Sequence, residues 1–180
     1  MKISEKFSGR PAKDRTVQEN RIYDALDALQ IPFGRVDHDH ADTMEDCLQI
    51  ESVLGAKICK NLLLCNRQET VFYLLLLPGD KVFKTKYLSS QLNCARLSFA
   101  TPQHMNDLLR TIPGSASALE LLFDPDKRVQ LIMDRELQND AVISGHPGFS
   151  TSTLSMSMED FLRFVASTGH APVWVDLPRE

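Results

Sequence analysis

Two polar residues interrupt an apolar stretch and are the first side chains that could do chemistry. Lys60 and Asn61 lie within residues 58–65, a run whose other members are apolar and which is typical of a buried β-strand. An ammonium and an amide in such a strand cost free energy unless they have partners or reach a wet cleft. We therefore predict a functional cleft at this pair. The alternative is that Lys60 extends from the strand end into water.

A loop of small residues and a histidine at a strand end are further candidates. Residues 112–118 read Ile-Pro-Gly-Ser-Ala-Ser-Ala. Small side chains let backbone N–H groups approach a ligand closely, as an oxyanion or phosphate site requires, although an ordinary turn has the same composition. His146 follows a predicted strand and precedes Pro147 and Gly148, a position where functional side chains often occur.

A second pair of histidines raises the question of a metal ion. His38 and His40 would share one face of an extended segment, and Asp37 and Asp39 are close in sequence. A third ligand at a defined spacing is missing, so solvated loop histidines are the simpler interpretation. A metal-dependent hydrolase that uses His38 and His40 stays open as the weaker alternative.

Three lysines form a basic cluster, Lys81, Lys84 and Lys86. A solvated helix face is the simpler explanation of such a cluster, and contact with RNA is the alternative. The net charge of −4 argues against broad coating of nucleic acid but permits a local basic site for one RNA end.

Motifs for a protein nucleophile are missing. The sequence contains no Gly-x-Ser-x-Gly elbow, and its four cysteines form no Cys-x-x-Cys pair. Three of the four lie in apolar patterns, so we expect buried free thiols rather than disulfides or zinc ligands. The cysteines are Cys47, Cys59, Cys65 and Cys94. Attack by water is therefore the simpler chemistry at a cleft of this kind.

The elements that must position these residues follow from capping and periodicity signals. Four hydroxyl residues are placed to cap predicted helices: Thr16, Thr43, Thr101 and Ser157. A fifth helix is predicted over residues 84–92. In the second helix we expect Met44, Cys47, Leu48 and Val53 to face inward. Strands are predicted over residues 33–38, 58–65, 71–77, 96–99, 129–133, 141–144, 151–156 and 173–177. The polar residues 66–70 between the second and third of these predict a hairpin with a short loop.

Composition and element order together predict one soluble domain. The chain has 180 residues, 43% hydrophobic and 24% charged, and no apolar run long enough to span a membrane. Without regular βαβ alternation, the fold class is α+β, a single domain with a mixed, mostly antiparallel central sheet flanked by helices. Residues 1–15 are expected to be a flexible lead-in and residues 16–180 the domain. We expect a cytoplasmic location and no membrane partner.

Several blocks taken together resemble a known family. In order they are residues 60–62, 73–81, 96–100, 114–115, 146–147, 151–153, 160–164 and 168–170. From about Val17 to Leu177 the chain resembles the YbaK/prolyl-tRNA-synthetase-associated editing domain, and most closely its free-standing prolyl-tRNA-editing branch, the PrdX or ProXp-ala type.

The resemblance implies hydrolysis of mischarged tRNA(Pro) in trans, with Ala-tRNA(Pro) as the substrate, its acceptor end as the RNA partner and prolyl-tRNA synthetase as a further partner. Lys60, Gly114 and His146 match the positions expected to act in catalysis. Six further residues match positions expected to contact the substrate: Asn61, Ser115, Ser117, Ala118, Ser150 and Thr151. No metal or organic cofactor is implied.

The sequence departs from the family pattern at two places. In the family the loop serine or threonine is followed by proline, an aromatic residue and glycine, whereas Ser117 is followed here by Ala118, Leu119 and Glu120. Ser150 stands where the family usually has asparagine. Serine, threonine or another small amino acid therefore stays open as the target, and a non-catalytic module that binds tRNA or a synthetase stays open as the alternative function.

Overall fold

The fold is built on an antiparallel hairpin of two apolar strands. In the computed structural model, which describes residues 1–180, these are β3 (Cys59–Cys65) and β4 (Phe72–Pro78), with Lys60 opposite Leu77. The Asn66 side chain closes the turn, since its Oδ1 accepts from the N–H groups of Thr70 and Val71 at 2.8 and 3.0 Å. The predicted hairpin is confirmed.

The strands form two sheets. The first has the order β5 (Ser98–Phe99), β3, β4, β6 (Val129–Asp134) and β9 (Val173–Val175). Its β4–β6 and β6–β9 pairs are parallel and its other pairs antiparallel. The second is antiparallel throughout, with the order β1 (Phe7–Ser8), β2 (Gly34–Asp37), β8 (Ser152–Ser157) and β7 (Val142–Gly145). The predicted α+β class is confirmed, with the strands divided between two sheets instead of one central sheet.

The two sheets enclose the main core. Buried side chains from both sheets share one cluster, among them Leu63, Leu74, Leu76, Ile143, Leu154 and Met156. On its other face the five-stranded sheet packs Leu75, Leu77 and Ile132 against Leu88 of a helix. Because β4 is covered on both faces, its sequence is an unbroken apolar run rather than an alternating one.

Five α-helices surround the sheets: α1 (Val17–Ala28), α2 (Met44–Leu54), α3 (Thr85–Gln91), α4 (Pro102–Leu109) and α5 (Met158–Ser167). The four predicted caps are confirmed, because each hydroxyl accepts a backbone N–H of the first turn. Short 3-10 helices occupy Ala118–Phe123 and Arg135–Asn139. None of the helices combines the length and apolarity needed to cross a bilayer.

The buried face of α2 differs from the expected one. Met44 and Leu48 are 57% and 59% exposed, whereas Ile50 and Leu54 are buried. Leu54 packs on Val36 of β2, so the helix buries a stripe displaced from the predicted one. The sequence offers apolar residues on more than one side of α2, and its contact with the four-stranded sheet decides which side is covered.

Residues 1–15 were expected to be a flexible lead-in, but in the structure residues 3–9 run along the edge of β2. Ser4 N–H donates to Asp37 O at 2.8 Å and Gly9 N–H donates to Phe33 O at 2.9 Å. The outer edge of β2 has unpaired backbone groups, which this segment satisfies despite its polar composition.

Lys81 was expected on a solvated basic face, but it is only 3% exposed. Its Nζ donates to Asp134 Oδ2 at 2.6 Å and to Leu177 O at 2.7 Å, and Glu136 Oε2 lies 2.9 Å away. Burial alone would lower the pKa of Lys81, but the hydrogen bonds to Asp134 and Glu136 outweigh it and raise the pKa.

Removing this ammonium should be strongly destabilising. Lys81→Ala leaves the buried Asp134 carboxylate without its partner, and we expect a loss of about 3 kcal/mol in the free energy of unfolding. Urea denaturation measures it. Lys84→Ala, which removes the exposed pair with Glu180, is the control and should change stability much less. Equal effects of the two substitutions would contradict the buried ion pair.

Candidate functional site

A cleft of about 700 Å³ opens beside the start of β3. Its walls come from α2, from β3 and the turn after β4, from the loop around Gly114, and from the end of β7. Of its 32 lining residues, 17 are hydrophobic. A cleft of this size with a few polar groups suits a small organic moiety rather than a flat macromolecular surface.

The cleft exists because one edge of β3 is only partly paired. β5 pairs with β3 at Leu64 and Cys65, and Ala100 N–H donates to Leu63 O at 2.9 Å. Alternate residues of a strand direct their backbone N–H and C=O groups to the same side. Since Leu63 directs its C=O toward β5, Cys59 and Asn61 direct theirs to the same side, where β5 no longer reaches. This stretch of β3 therefore presents backbone donors and acceptors to the cleft, with the Asn61 amide bonded to Cys59 O at 3.2 Å.

Lys60 is half-buried in the cleft wall, and its ammonium has no acidic partner. Its Nζ donates to Lys81 O at 2.6 Å, and no carboxylate lies within the 4 Å of an ion pair. The other two basic side chains of the lining differ: Lys57 pairs with Asp140 at 3.4 Å, and Arg179 pairs with Asp80 and Glu136. Among the lysines and arginines that line the cleft, Lys60 is thus the one without a carboxylate partner, and its charge is available to a ligand.

The small-residue loop contributes backbone N–H groups. Gly114 lines the cleft with φ of +86°, which explains a glycine there, and Ala116 lines it two residues later. Neither N–H has a hydrogen-bond partner in the protein, whereas Ser115 N–H donates to Ile112 O at 3.1 Å. The N–H groups of Gly114 and Ala116 are therefore free to donate to a ligand.

His146 presents a neutral ring to the cleft. Its Nδ1 lies 2.9 Å from Ser152 O, a carbonyl that can only accept, so Nδ1 carries the proton and Nε2 is a free acceptor. Burial lowers the pKa of His146 to about 4; the bond to Ser152 opposes this shift, and His38 and His40 add to it.

Ser150 and His40 connect the wall of the cleft to the small-residue loop. Ser150 is buried and lines the cleft, and its hydroxyl bonds to His40 Nδ1. His40 Nε2 in turn lies 4.0 Å from where a Cβ on Gly114 would stand. A Cβ at 114 would make only ordinary van der Waals contact with this ring, so the positive φ, and not lack of space, accounts for glycine there.

The two histidines considered for a metal are engaged with protein groups. The ring of His38 lies between Asp39 O at 2.7 Å and Thr153 Oγ1 at 2.8 Å, and that of His40 lies between Ser150 and Asp42. No three His, Cys, Asp or Glu side chains are grouped so that they could hold a metal ion. The structure thus offers no ligand set for the metal hypothesis.

The structure brings together five of the nine residues singled out from the sequence: Lys60, Asn61, Gly114, His146 and Ser150 all line the cleft. The side chains of Ser115, Ser117 and Ala118 are buried and do not line the cleft, and Thr151 is exposed outside it. Sequence reasoning missed the wall formed by Met44, Cys47 and Leu48. Their apolar pattern was visible, but which side of α2 is covered depends on the sheet.

Neither cysteine in the cleft is a good nucleophile. Burial raises the pKa of the Cys59 thiol to about 12 and also raises that of Cys47. Both are therefore thiols at neutral pH, and the thiolate is the reactive form. The site combines a free cation, two N–H donors and a neutral imidazole acceptor, which suits attack by water on an ester or amide carbonyl.

Comparison with protein families gives one match, the aminoacyl-tRNA editing domain, over residues 38–164. The prolyl-tRNA editing protein ProX of Acetoanaerobium sticklandii is 27% identical over 145 residues, which cover 81% of this chain and 88% of ProX. A prolyl-tRNA synthetase associated domain-containing protein 1 of Bos taurus is 31% identical over 153 residues, 82% of this chain and 88% of that protein.

A solved structure of a candidate trans-editing enzyme for prolyl-tRNA synthetase has the same fold. It superposes with a TM-score of 0.68 over 93% of this chain and 99% of that one, at 17% identity. At this identity the likeness concerns the fold alone.

The tautomer and pKa of His146 can be measured directly. Following the imidazole signals by NMR during acidification, we expect His146 to titrate with a midpoint at about 4 and to show a proton on Nδ1 at neutral pH. A His146→Asn variant assigns the signals. A midpoint near the usual 6.5 would show that the ring is solvated and would contradict its burial.

Proposed function

The chain belongs to the aminoacyl-tRNA editing domain family, and we propose that it is a cytoplasmic deacylase that hydrolyses mischarged tRNA(Pro) in trans, with Ala-tRNA(Pro) as its substrate. The acceptor end of the tRNA is the ligand of the cleft, and prolyl-tRNA synthetase is a further partner. The reaction needs no metal or organic cofactor, since the residues present can position and polarise the ester themselves.

The unpaired ammonium of Lys60 is the observation that carries this proposal. An aminoacyl-tRNA brings phosphate, ribose hydroxyls and an ester carbonyl to any site that binds its 3′ end. A lysine that lines a cleft without a carboxylate partner supplies positive charge to such a ligand, whereas Lys57 and Arg179 are already neutralised.

The N–H groups of Gly114 and Ala116 are the donors we assign to the developing oxyanion. Water attack on the ester converts the carbonyl oxygen into an alkoxide, and preorganised N–H groups stabilise this charge more than they stabilise the starting ester. Both groups lack internal partners, so they need not break a bond to act. The free backbone edge at Asn61 lies across the same cleft and can bind the aminoacyl group by its amide or carbonyl.

His146 orients a reactant in this scheme and is a weak base. A pKa of about 4 means that its Nε2 holds a proton poorly at neutral pH, so full proton transfer to it is unfavourable. The same nitrogen is a good hydrogen-bond acceptor for the attacking water or for a ribose hydroxyl. An aminoacyl ester is reactive enough for such orientation to contribute usefully.

Selection of alanine over proline would rest on size. Apolar side chains form much of the lining, including Ala41, Ala100 and Leu63, and such a wall discriminates by volume. A synthetase that accepts proline discriminates poorly against a smaller amino acid, so a second site that admits only small side chains corrects its errors.

Lys60→Ala is the decisive substitution. Loss of one positioned charge should slow deacylation of Ala-tRNA(Pro) at least about a hundredfold. Thermal unfolding should change little, because the ammonium makes no ion pair in the fold. Lys57→Ala is the matched control: its side chain reaches solvent and takes no part in the proposed chemistry, so activity should be retained.

The outcome also separates the two candidate functions. If the folded wild type and Lys60→Ala are equally inactive but both bind tRNA, the chain is a binding module. If Lys60→Ala unfolds, Lys60→Met, which keeps the alkyl chain, repeats the test without the charge.

A panel of mischarged tRNAs tests the specificity. With tRNA(Pro) charged by alanine, serine, threonine or proline, we expect the alanyl ester to be hydrolysed fastest and the prolyl ester to be spared. Activity should survive treatment with a chelator, because no ligand set for a metal is present. Faster hydrolysis of the seryl or threonyl ester would overturn the choice of alanine but not the deacylase reaction.

A further inference from the structure

A buried carboxyl group lies beneath the small-residue loop. Glu120 is 0% exposed, and its Oε1 accepts from Ser117 N–H at 2.6 Å. Its Oε2 is buried without a hydrogen-bond partner, as are the hydroxyls of Thr111 and Ser115 at the start of the loop. A buried polar group without partners is rare enough in proteins to need an explanation.

The protonated form of Glu120 fits these buried surroundings better than its carboxylate does. Burial raises the pKa of Glu120 well above its usual value of 4.5, and the neighbouring Thr111 hydroxyl and Ser117 N–H offset this only in part. Two basic side chains of the neighbouring elements, Arg21 and Arg110, lie over the ring of Phe123 at 5.0 and 5.4 Å, and neither contributes to the pKa shift of Glu120. A protonated Glu120 accepts from Ser117 N–H through Oε1, and protonation removes the negative charge from Oε2, which has no hydrogen-bond partner.

Glu120 is connected to both catalytic elements through Ser117. Ser117 lies at the end of the loop that carries Gly114 and Ala116, and its hydroxyl caps the 3-10 helix by accepting from Leu119 N–H at 3.2 Å. A Cβ on Gly145 would stand only 3.1 Å from that hydroxyl. Ser117 thus packs against the residue that immediately precedes His146.

We propose that Glu120 is a positioning residue that holds, through Ser117, both the loop N–H donors and the strand end that carries His146. This inference rests on the proposed function of the cleft. Ala118 leaves the backbone φ free where the family pattern has proline, and the hydrogen bond from Ser117 N–H to Glu120 fixes the loop instead. A glycine at 120, as in that pattern, could not accept it.

Two substitutions separate positioning from other roles. Glu120→Gln keeps an acceptor for Ser117 N–H in a side chain of nearly the same size, whereas Glu120→Ala removes it. Well below the unfolding temperature, Glu120→Ala should lower kcat for Ala-tRNA(Pro) at least about tenfold with KM changed less than about threefold. Glu120→Gln, by contrast, should have a kcat within about threefold of the wild-type value.

Amide hydrogen exchange tests the same inference without activity. Glu120→Ala should speed exchange of the Ser117 amide at least about tenfold, and Glu120→Gln should not. If the wild type hydrolyses none of the mischarged tRNAs, the proposed function fails and this measurement still decides the role of Glu120. Unchanged exchange in a folded Glu120→Ala variant, a normal kcat in that variant, or equal damage by both substitutions would each overturn the proposal.

The pH dependence of stability provides a further readout. The folded protein holds the Glu120 proton more tightly than the unfolded chain does, so its contribution to stability is complete below 4.5 and is lost as the pH rises toward the folded pKa. Relative to the wild type, Glu120→Gln should therefore gain stability progressively above pH 4.5 in thermal unfolding. A constant difference across this range would show that the carboxyl group does not titrate as inferred.

Discussion

The unequal pairing of β3 is the constraint on which the candidate site depends. Along one edge all seven residues pair with β4, and along the other only Leu64 and Cys65 pair with β5. Had β5 continued for four more residues, its backbone would occupy the space of the cleft. The rest of the site forms around this open edge: α2 and the small-residue loop enclose it, and Lys60 lies at its end. Edges left open usually risk aggregation, and here the enclosing elements remove that risk while keeping the backbone groups available.

The basic groups in and behind the cleft wall differ in how far their charge is neutralised. Lys81, behind the wall, is neutralised by Asp134 and Glu136, Arg179 is paired with carboxylates, and Lys60 has no carboxylate within 4 Å. His146 also lines the cleft, and burial keeps its ring neutral. Carboxylates line the cleft as well, so it is the absence of a partner that distinguishes Lys60. Because its ammonium is half-buried, the charge acts more strongly on a ligand than it would in water.

Local signals in the sequence were sufficient to predict most helices and strands, but not how these elements pack together. The four helix caps, the hairpin and the strand order along the chain follow from residues close together in sequence, so they could be predicted. The division into two sheets, the exposed face of α2 and the burial of Lys81 depend on contacts between distant segments, such as that of Lys81 with Leu177. Lys60 and Gly114 could be singled out because a charge in an apolar strand and a glycine in a loop are locally unusual. The composition of the loop predicted that Ser115 and Ser117 bind a ligand, but in the structure their side chains are buried away from the cleft.

The contact between Lys81 and the carbonyl of Leu177 has a consequence during synthesis. The backbone oxygen that supports Lys60 belongs to Lys81, and the Lys81 side chain is secured by groups 53 and 96 residues further along. Chains emerge from the ribosome with their N-terminus first, so a nascent chain already contains Lys60 long before its support can assemble. The Lys60 side of the cleft should therefore reach its final form only after Leu177 has left the ribosome, instead of forming step by step as each segment emerges.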